Sequence, residues 1–172
     1  DPKKPLLVVQ GDAVTDADFS SLIVQHQCAD ASVTIGCQQV PDEDVSKFGI
    51  MATDSDDPRD PSGRIVKFLE KPSLAEAGPY RLGSTGFYVL SPEVYPILRE
   101  IHARKLEAER QAARQAGKPE PAEAEELDFA KDLFPEILER SNAGAVEPLR
   151  AQAVSGFWCD IGNPAQYLQT MH

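Results

Sequence analysis

L-L-V-V-Q-G-D-A-V-T-D-A-D-F-S-S-L-I-V-Q-H-Q-C-A-D-A-S-V-T-I-G-C-Q-Q-V, residues 6–40, carries the decision about the fold. Residues 6–10 are an apolar, β-branched run stopped by Gly11-Asp12, the pattern of a buried strand whose carboxyl end delivers a loop. Over residues 18–29, Phe19, Leu22, Ile23 and His26 recur at helical spacing, with Thr15 or Asp16 offering the cap. Residues 32–40 form a second β-rich run. Strand, helix, strand is the βαβ pattern of an α/β sheet. Ligands of such sheets bind beyond the carboxyl ends of the strands, which is where Asp12 stands. Gly11 beside it lets a backbone come close to a ligand, although Gly-Asp taken alone is an ordinary turn.

Working outward, residues 48–53 and 64–69 read as two strands of a hairpin joined by the Asp/Pro/Ser/Gly loop 54–63. Glu70-Lys71-Pro72 sits where the second strand stops, because proline cannot continue a ladder. Gly83-Ser84-Thr85-Gly86 leads into a strand over 87–90, and Ser91-Pro92-Glu93 starts a helix with proline at its first position. Residues 101–116 are charged and alanine-rich, a solvated helical insertion ending in a Gly-Lys-Pro-Glu-Pro break. Residues 128–140 repeat Phe129, Leu133, Phe134, Ile137 and Leu138 as an amphipathic helix in which Pro135 marks a kink or a split. A last strand over 151–154 and a terminal helix over 164–171 complete the reading.

The chain has 172 residues, enough for one domain with a real core, and a formal net charge of −11. That charge argues against a nucleic-acid binder, which needs clustered Lys and Arg. A small phosphorylated ligand asks only for one or two placed cations or a carboxylate-held metal. No apolar run approaches a membrane span, and the short run after Lys3-Lys4 lacks a signal-peptide core, so a soluble, cytoplasmic chain is expected. Cys28, Cys37 and Cys159 have neither disulfide-framework nor zinc spacing and read as reduced thiols.

Four short patches bear chemistry. They are Asp12 after its strand, Glu70-Lys71 at a strand end, Ser84 in its glycine-rich entry, and Asp160 in V-S-G-F-W-C-D-I-G-N-P. An unpaired buried carboxylate is costly, so Asp160 needs a cation, a donor or water. Lys71 can neutralise a phosphate while Glu70 accepts from hydroxyls; an isolated Glu-Lys pair is otherwise surface decoration. The G-S-T-G run lacks the spacing of a nucleotide phosphate loop, and His26, His102 and His172 make no nucleophile-base arrangement. Phe87, Tyr88, Phe157 and Trp158 read as core.

In order, the chain presents V-V-Q-G-D-A-V-T-D, S-K-F-G-I-M-A-T-D, R-I-V-K-F-L-E-K-P, L-G-S-T-G-F-Y-V-L, D-F-A-K-D-L-F-P-E-I-L and G-F-W-C-D-I-G-N-P-A-Q-Y. This series resembles the sugar-1-phosphate nucleotidyltransferases, the nucleotide-sugar pyrophosphorylases, with mannose-1-phosphate guanylyltransferases and glucose-1-phosphate adenylyltransferases as the relatives it is most similar to. The resemblance implies a Rossmann-like, GT-A-like mixed sheet flanked by helices. It implies Mg²⁺ held by Asp12 and Asp160, with Asp12, Lys71 and Asp160 catalytic. Gly11, Gly49, Glu70, Lys71 and Ser84 would bind substrate. The implied partners are a mannose or glucose 1-phosphate and a nucleoside triphosphate, with no nucleic acid and no membrane.

The family's glycine-rich triphosphate loop and downstream P-K lysine are not found in these residues. The expectation is therefore the carboxyl-terminal portion of a catalytic domain, truncated at its amino terminus, inserted at about 101–126 and inactive alone. An open sheet edge would favour a homo-oligomer. A second reading is a non-catalytic regulatory or translation-factor-like homologue, against which the retention of Asp12, Lys71 and Asp160 together counts.

Overall fold

The computed structural model describes residues 3–162, 167, 168 and 170; the terminal helix expected over 164–171 lies largely outside them. Along the chain come β1 (Leu6–Val9), β2 (Ala13–Thr15), α1 (Phe19–Cys28), β3 (Val33–Gln39) and a 3-10 helix (Asp42–Lys47). There follow β4 (Ile50–Thr53), β5 (Gly63–Leu69), α2 (Leu74–Ala77), β6 (Leu82–Leu90) and α3 (Val94–Gln115). A π-helical turn (Phe129–Leu133), α4 (Phe134–Asn142), β7 (Leu149–Ala153) and β8 (Trp158–Asp160) complete the order.

Six strands form a mixed sheet in the order β1-β6-β3-β7-β5-β4, and β2 pairs with β8 as a separate ribbon. β1 and β3 both run antiparallel to β6, so they are parallel to each other, as the βαβ reading requires. The hairpin expected from residues 48–69 is the antiparallel β4–β5 pair, Ile50 opposite Leu69.

β6 is the central strand and changes its outer neighbour along its length. Its first residues, Leu82 and Gly83, pair with Met51 and Ile50 of β4, and Ser84 N donates to the Gly49 carbonyl at 2.8 Å. Its last four, Phe87 to Leu90, pair with β1. Between them the pairing with β3 slips, from Ile35 opposite Tyr88 to Cys37 opposite Ser84. Gly86 takes the left-handed conformation (φ +77) that such an irregularity needs, and a Cβ there would collide with Gln10. β1 and β4 thus part company over Ser84–Gly86, which opens the sheet at the carboxyl end of β1.

One face of the sheet packs on α3, the π turn and α4, where Ile35, Met51, Leu82, Ile97, Phe134 and Ile137 are buried together. The other face packs on α1 through Leu22 against Phe87 and Val89, with Phe19 edge-on to Phe87 at 5.0 Å. Each such fully buried side chain contributes about 1.5–3 kcal/mol. No helix among the described residues is long and apolar enough to cross a membrane.

Several local expectations shift. The cap of α1 is Asp18, whose carboxylate accepts from Ser20 N at 2.9 Å and Ser21 N at 3.3 Å. Thr15 and Asp16 are occupied elsewhere: Thr15 Oγ1 donates to the Phe157 carbonyl at 2.8 Å, and Asp16 Oδ1 accepts from Phe157 N at 2.5 Å. α3 starts at Val94 with Glu93 as its cap, so Pro92 precedes the helix. The charged run 101–115 continues α3 without a break and is not a separate helix. The expected helix over 128–140 splits at Leu133/Phe134, with Pro135 in the first turn of α4, where its missing N–H costs nothing.

Candidate functional site

The ribbon joins the two distant carboxylates. β1 delivers Asp12 just beyond its carboxyl end, and β2 pairs with β8 so that Ala13 lies opposite Asp160. Ile161 N closes the pair on the Asp12 carbonyl at 2.8 Å. Asp160 and Trp158 alternate onto one face of β8, and both line a cleft of about 460 Å³ together with Asp12. Burial pushes the Asp160 carboxyl above its ordinary range, the charge of Asp12 adds to the rise, and Lys71 partly offsets it. Two repelling carboxylates relieved by a cation suit Mg²⁺, a hard ion that keeps several waters. No group of three His, Cys, Asp or Glu side chains among the described residues forms a fuller cage.

Glu70 and Lys71 reach the same cleft from the end of β5. Lys71 has left-handed backbone (φ +45), uncommon outside glycine, and the buried Pro72 follows it. Its Nζ stands 4.0 Å from Glu70 Oε1, a loose pair with the lysine side chain 62% exposed. That geometry leaves the ammonium exposed to the cleft and only loosely engaged. Gly49 enters where a side chain would strike the Phe68 ring and come within 3.3 Å of Glu70 Oε2. Ser84 is only 8% exposed, and its hydroxyl accepts from Gly86 N at 3.3 Å. Burial lifts the Tyr88 phenol above its ordinary value, with the Ser84 hydroxyl opposing the shift.

The structure therefore brings together Asp12, Gly49, Glu70, Lys71, Ser84 and Asp160 on one cleft. Gly11 is not among the residues lining it, and a Cβ at Gly11 would meet no protein atom within 4 Å.

Sequence reasoning missed the aromatic walls and those formed by Lys47 and residues 127–130. Tyr88 and Trp158 line the cleft, whereas Phe87 is core as expected and Phe157 is 46% exposed. Phe48 packs on Trp158 at 5.1 Å and Phe129 meets Tyr88 edge-on at 5.6 Å. The Trp158 indole N–H is buried without an acceptor among the described residues. Strand alternation was the available signal for Trp158, two residues before Asp160. No local signal placed Lys47, Leu127 or Asp128 on the same cleft. A pair of carboxylates, a loosely paired ammonium, a hydroxyl and flat aromatic faces thus share one cleft.

A family model described as Nucleotidyl transferase matches residues 1–172. The glucose-1-phosphate adenylyltransferase of Thermotoga maritima is 35% identical over 162 residues, 94% of this chain and 31% of that protein. The enzyme of the same name from Rhodopseudomonas palustris is 32% identical over 177 residues, 97% of this chain and 36% of that protein. A solved structure of UDP-glucose pyrophosphorylase complexed with UDP-glucose superposes with a TM-score of 0.66 at 19% identity, over 97% of this chain and 54% of that one. The shared fold is the GT-A-like one, and the chain spans about a third of the length of these curated relatives.

Proposed function

Because the chain belongs to the nucleotidyl transferase family, we propose that it supplies the sugar-phosphate and metal-binding part of a sugar-1-phosphate nucleotidyltransferase site. The reaction joins a hexose 1-phosphate to a nucleoside triphosphate and releases pyrophosphate. The observation that carries the reading is the meeting of Asp12 and Asp160 across the β2–β8 ribbon, beside Lys71, Glu70 and Ser84 on one cleft. Glucose is the first candidate sugar, since the relatives' names specify glucose, and mannose is the second.

In this reading Lys71 holds the sugar phosphate as a point charge, and Glu70 accepts from ring hydroxyls. Ser84, held by its bond from Gly86 N, orients a further sugar oxygen. The flat faces of Phe48 and Trp158 exclude water from the apolar side of the ring. Asp12 and Asp160 are the residues that fit Mg²⁺, which when bound supplies charge neutralisation of the phosphates. A sugar-phosphate oxygen then attacks the α-phosphorus in line, a new P–O bond forms, and the bond to the departing pyrophosphate breaks. The attacking oxygen is already anionic, so no side chain has to take a proton, and catalysis comes from position and charge. Residues 1–172 hold no glycine-rich triphosphate loop, and the reading assigns no residue here to the base. It includes a cytoplasmic setting and assembly with further copies of the chain.

The test is pyrophosphate release by the intact protein with glucose 1-phosphate or mannose 1-phosphate and each nucleoside triphosphate in turn, alongside Asp160→Asn. Turnover abolished by the substitution supports the reading. A protein that neither binds a hexose 1-phosphate nor releases pyrophosphate with any pairing is a non-catalytic homologue.

A further inference from the structure

The charged segment 101–126 is not a free solvated face. After α3 the chain turns back along that helix, and residues 116–126 are pinned to it by side chains at successive turns. Arg114 pairs with Glu120 at 3.4 Å, Arg110 Nε donates to the Pro121 carbonyl at 3.1 Å, and Glu109 accepts from Glu125 N at 3.2 Å. The last and innermost of these ties is made by Lys105. Its Nζ donates to the Glu126 carbonyl at 2.9 Å and to Asp132 Oδ2 at 3.2 Å. The same Asp132 oxygen accepts from Asp128 N at 2.8 Å, and Asp132 N donates back to the Asp128 carbonyl at 2.7 Å. Asp128 in turn caps the π turn, accepting from Ala130 N at 2.8 Å and Lys131 N at 3.1 Å. One ammonium thus closes a ring that begins on α3, crosses the end of that segment and finishes on the four residues 127–130, all of which line the cleft.

We propose that Lys105 is a positioning residue for the cleft wall 127–130, and through it for the sugar 1-phosphate; its ligand rests on the function proposed above. Lys105 itself is not among the residues lining the main cleft. Its side chain is 27% and that of Asp132 25% exposed, a half-buried pair in which loss of the cation leaves a carboxylate with a weakened anchor. The wall it braces then loses a fixed height, because besides the core packing of Leu127, Ala130 and Leu133 the π turn is held by two anchors. One is the Lys105–Asp132–Asp128 ring. The other is the packing of Phe129 and Phe134 on Tyr88, at 5.6 and 5.2 Å. The aromatic anchor is apolar and permits sliding, whereas the charged hydrogen bonds fix direction.

The experiment compares Lys105→Met, which keeps the stem and removes the charge, with Lys105→Arg in the intact protein. Native-state hydrogen exchange is read at the amides of residues 128–132, with the β3 amides as an internal control. The expected result for Lys105→Met is about tenfold faster exchange at residues 128–132, with β3 unchanged. The KM for glucose 1-phosphate rises about tenfold, while kcat and the nucleotide KM stay within about twofold. Lys105→Arg restores most of both. Unchanged exchange at residues 128–132 overturns the proposal whatever the kinetics, and so does faster exchange over the whole sheet, which marks a merely structural role. Local loosening with an unmoved sugar-phosphate KM refutes the link to the ligand. Local loosening in a protein that turns over no sugar 1-phosphate keeps the positioning role and sinks the proposed function alone.

Discussion

Ala13 and Asp160 are cross-strand partners, and the neighbouring Ile161 amide is bonded to the Asp12 carbonyl at 2.8 Å, so two carboxylates almost 150 positions apart in the chain share one strand end. The backbone ladder, not a bond between the side chains, holds them together. Asp160→Asn therefore leaves the ribbon intact and removes a like-charge repulsion. Its melting temperature without metal is expected to equal or exceed that of the parent. Turnover of the intact protein falls by about 100-fold or more. Added Mg²⁺ raises the melting temperature of the parent and not of the variant. A variant that still gains stability from Mg²⁺ places the ion elsewhere.

Lys71 combines a functional charge with strained backbone. Its left-handed φ of +45 is one of two such values outside glycine among the described residues, the other being Asp30. Lys71→Gly relieves that strain but loosens the unfolded chain, so denaturant melts are expected to move by less than about 1 kcal/mol. Loss of a charge-assisted contact to a phosphate is worth about 1.5–3 kcal/mol, which predicts a rise of 10- to 100-fold in the sugar-phosphate KM. Stability kept and affinity lost is the signature; a large loss of stability would assign Lys71 to the fold instead.

Gly49 carries the opposite expectation. A methyl group there strikes the Phe68 ring and crowds Glu70 Oε2, and both partners belong to the cleft. Gly49→Ala is expected to cost about 1–3 kcal/mol in denaturant unfolding, through overpacking. The sugar-phosphate KM rises with it, because Glu70 is displaced. Gly11→Ala is the packing control: no protein atom lies within 4 Å of that Cβ, and the denaturant midpoint should hold.

Much of the architecture was legible because it is written in local periodicity. β1, α1, β3 and the β4–β5 hairpin all follow runs whose spacing allows one answer. Order along the chain carried the site further than any single patch did. What escaped was set by partners remote in sequence. β2 and β8 are three residues each, too short for a periodic signal, and exist because Thr15 and Asp16 grip the backbone of Phe157. Those two side chains were in turn unavailable as caps, which left the role to Asp18. The run 101–126 has the composition of a solvated face, yet Arg110 and Lys105 are spent on backbone carbonyls that only the return of the chain brings near.

His26 gives a pH dependence whose direction follows from its hydrogen bonds. Ser91 Oγ spends its one proton on the Ala31 carbonyl at 2.7 Å, so the His26 ring must donate from Nε2 into that hydroxyl at 3.0 Å. In the neutral ring that burial favours, Nδ1 is then an acceptor for Thr34 Oγ1 at 2.8 Å. Burial, with only 3% of the residue exposed, lowers its pKa below the ordinary 6.5, against the weaker pull of Glu93. Asp30, Glu147 and Glu93 line the small cavity beside the ring. A base whose folded pKa is depressed gives its full contribution above 6.5, where neither state holds the proton. As pH falls below 6.5 the unfolded chain takes the proton first, and stability declines until the folded pKa is passed. The slope in that window is expected to reach at most about 1.4 kcal/mol per pH unit for the single proton. Urea unfolding between pH 7.5 and roughly 5 measures it, ahead of the carboxylate titrations lower down. His26→Gln keeps a donor towards Ser91 and cannot titrate, so its stability is lower at neutral pH but flat across the same window. An equal slope in the two proteins would move the acid sensitivity to another group.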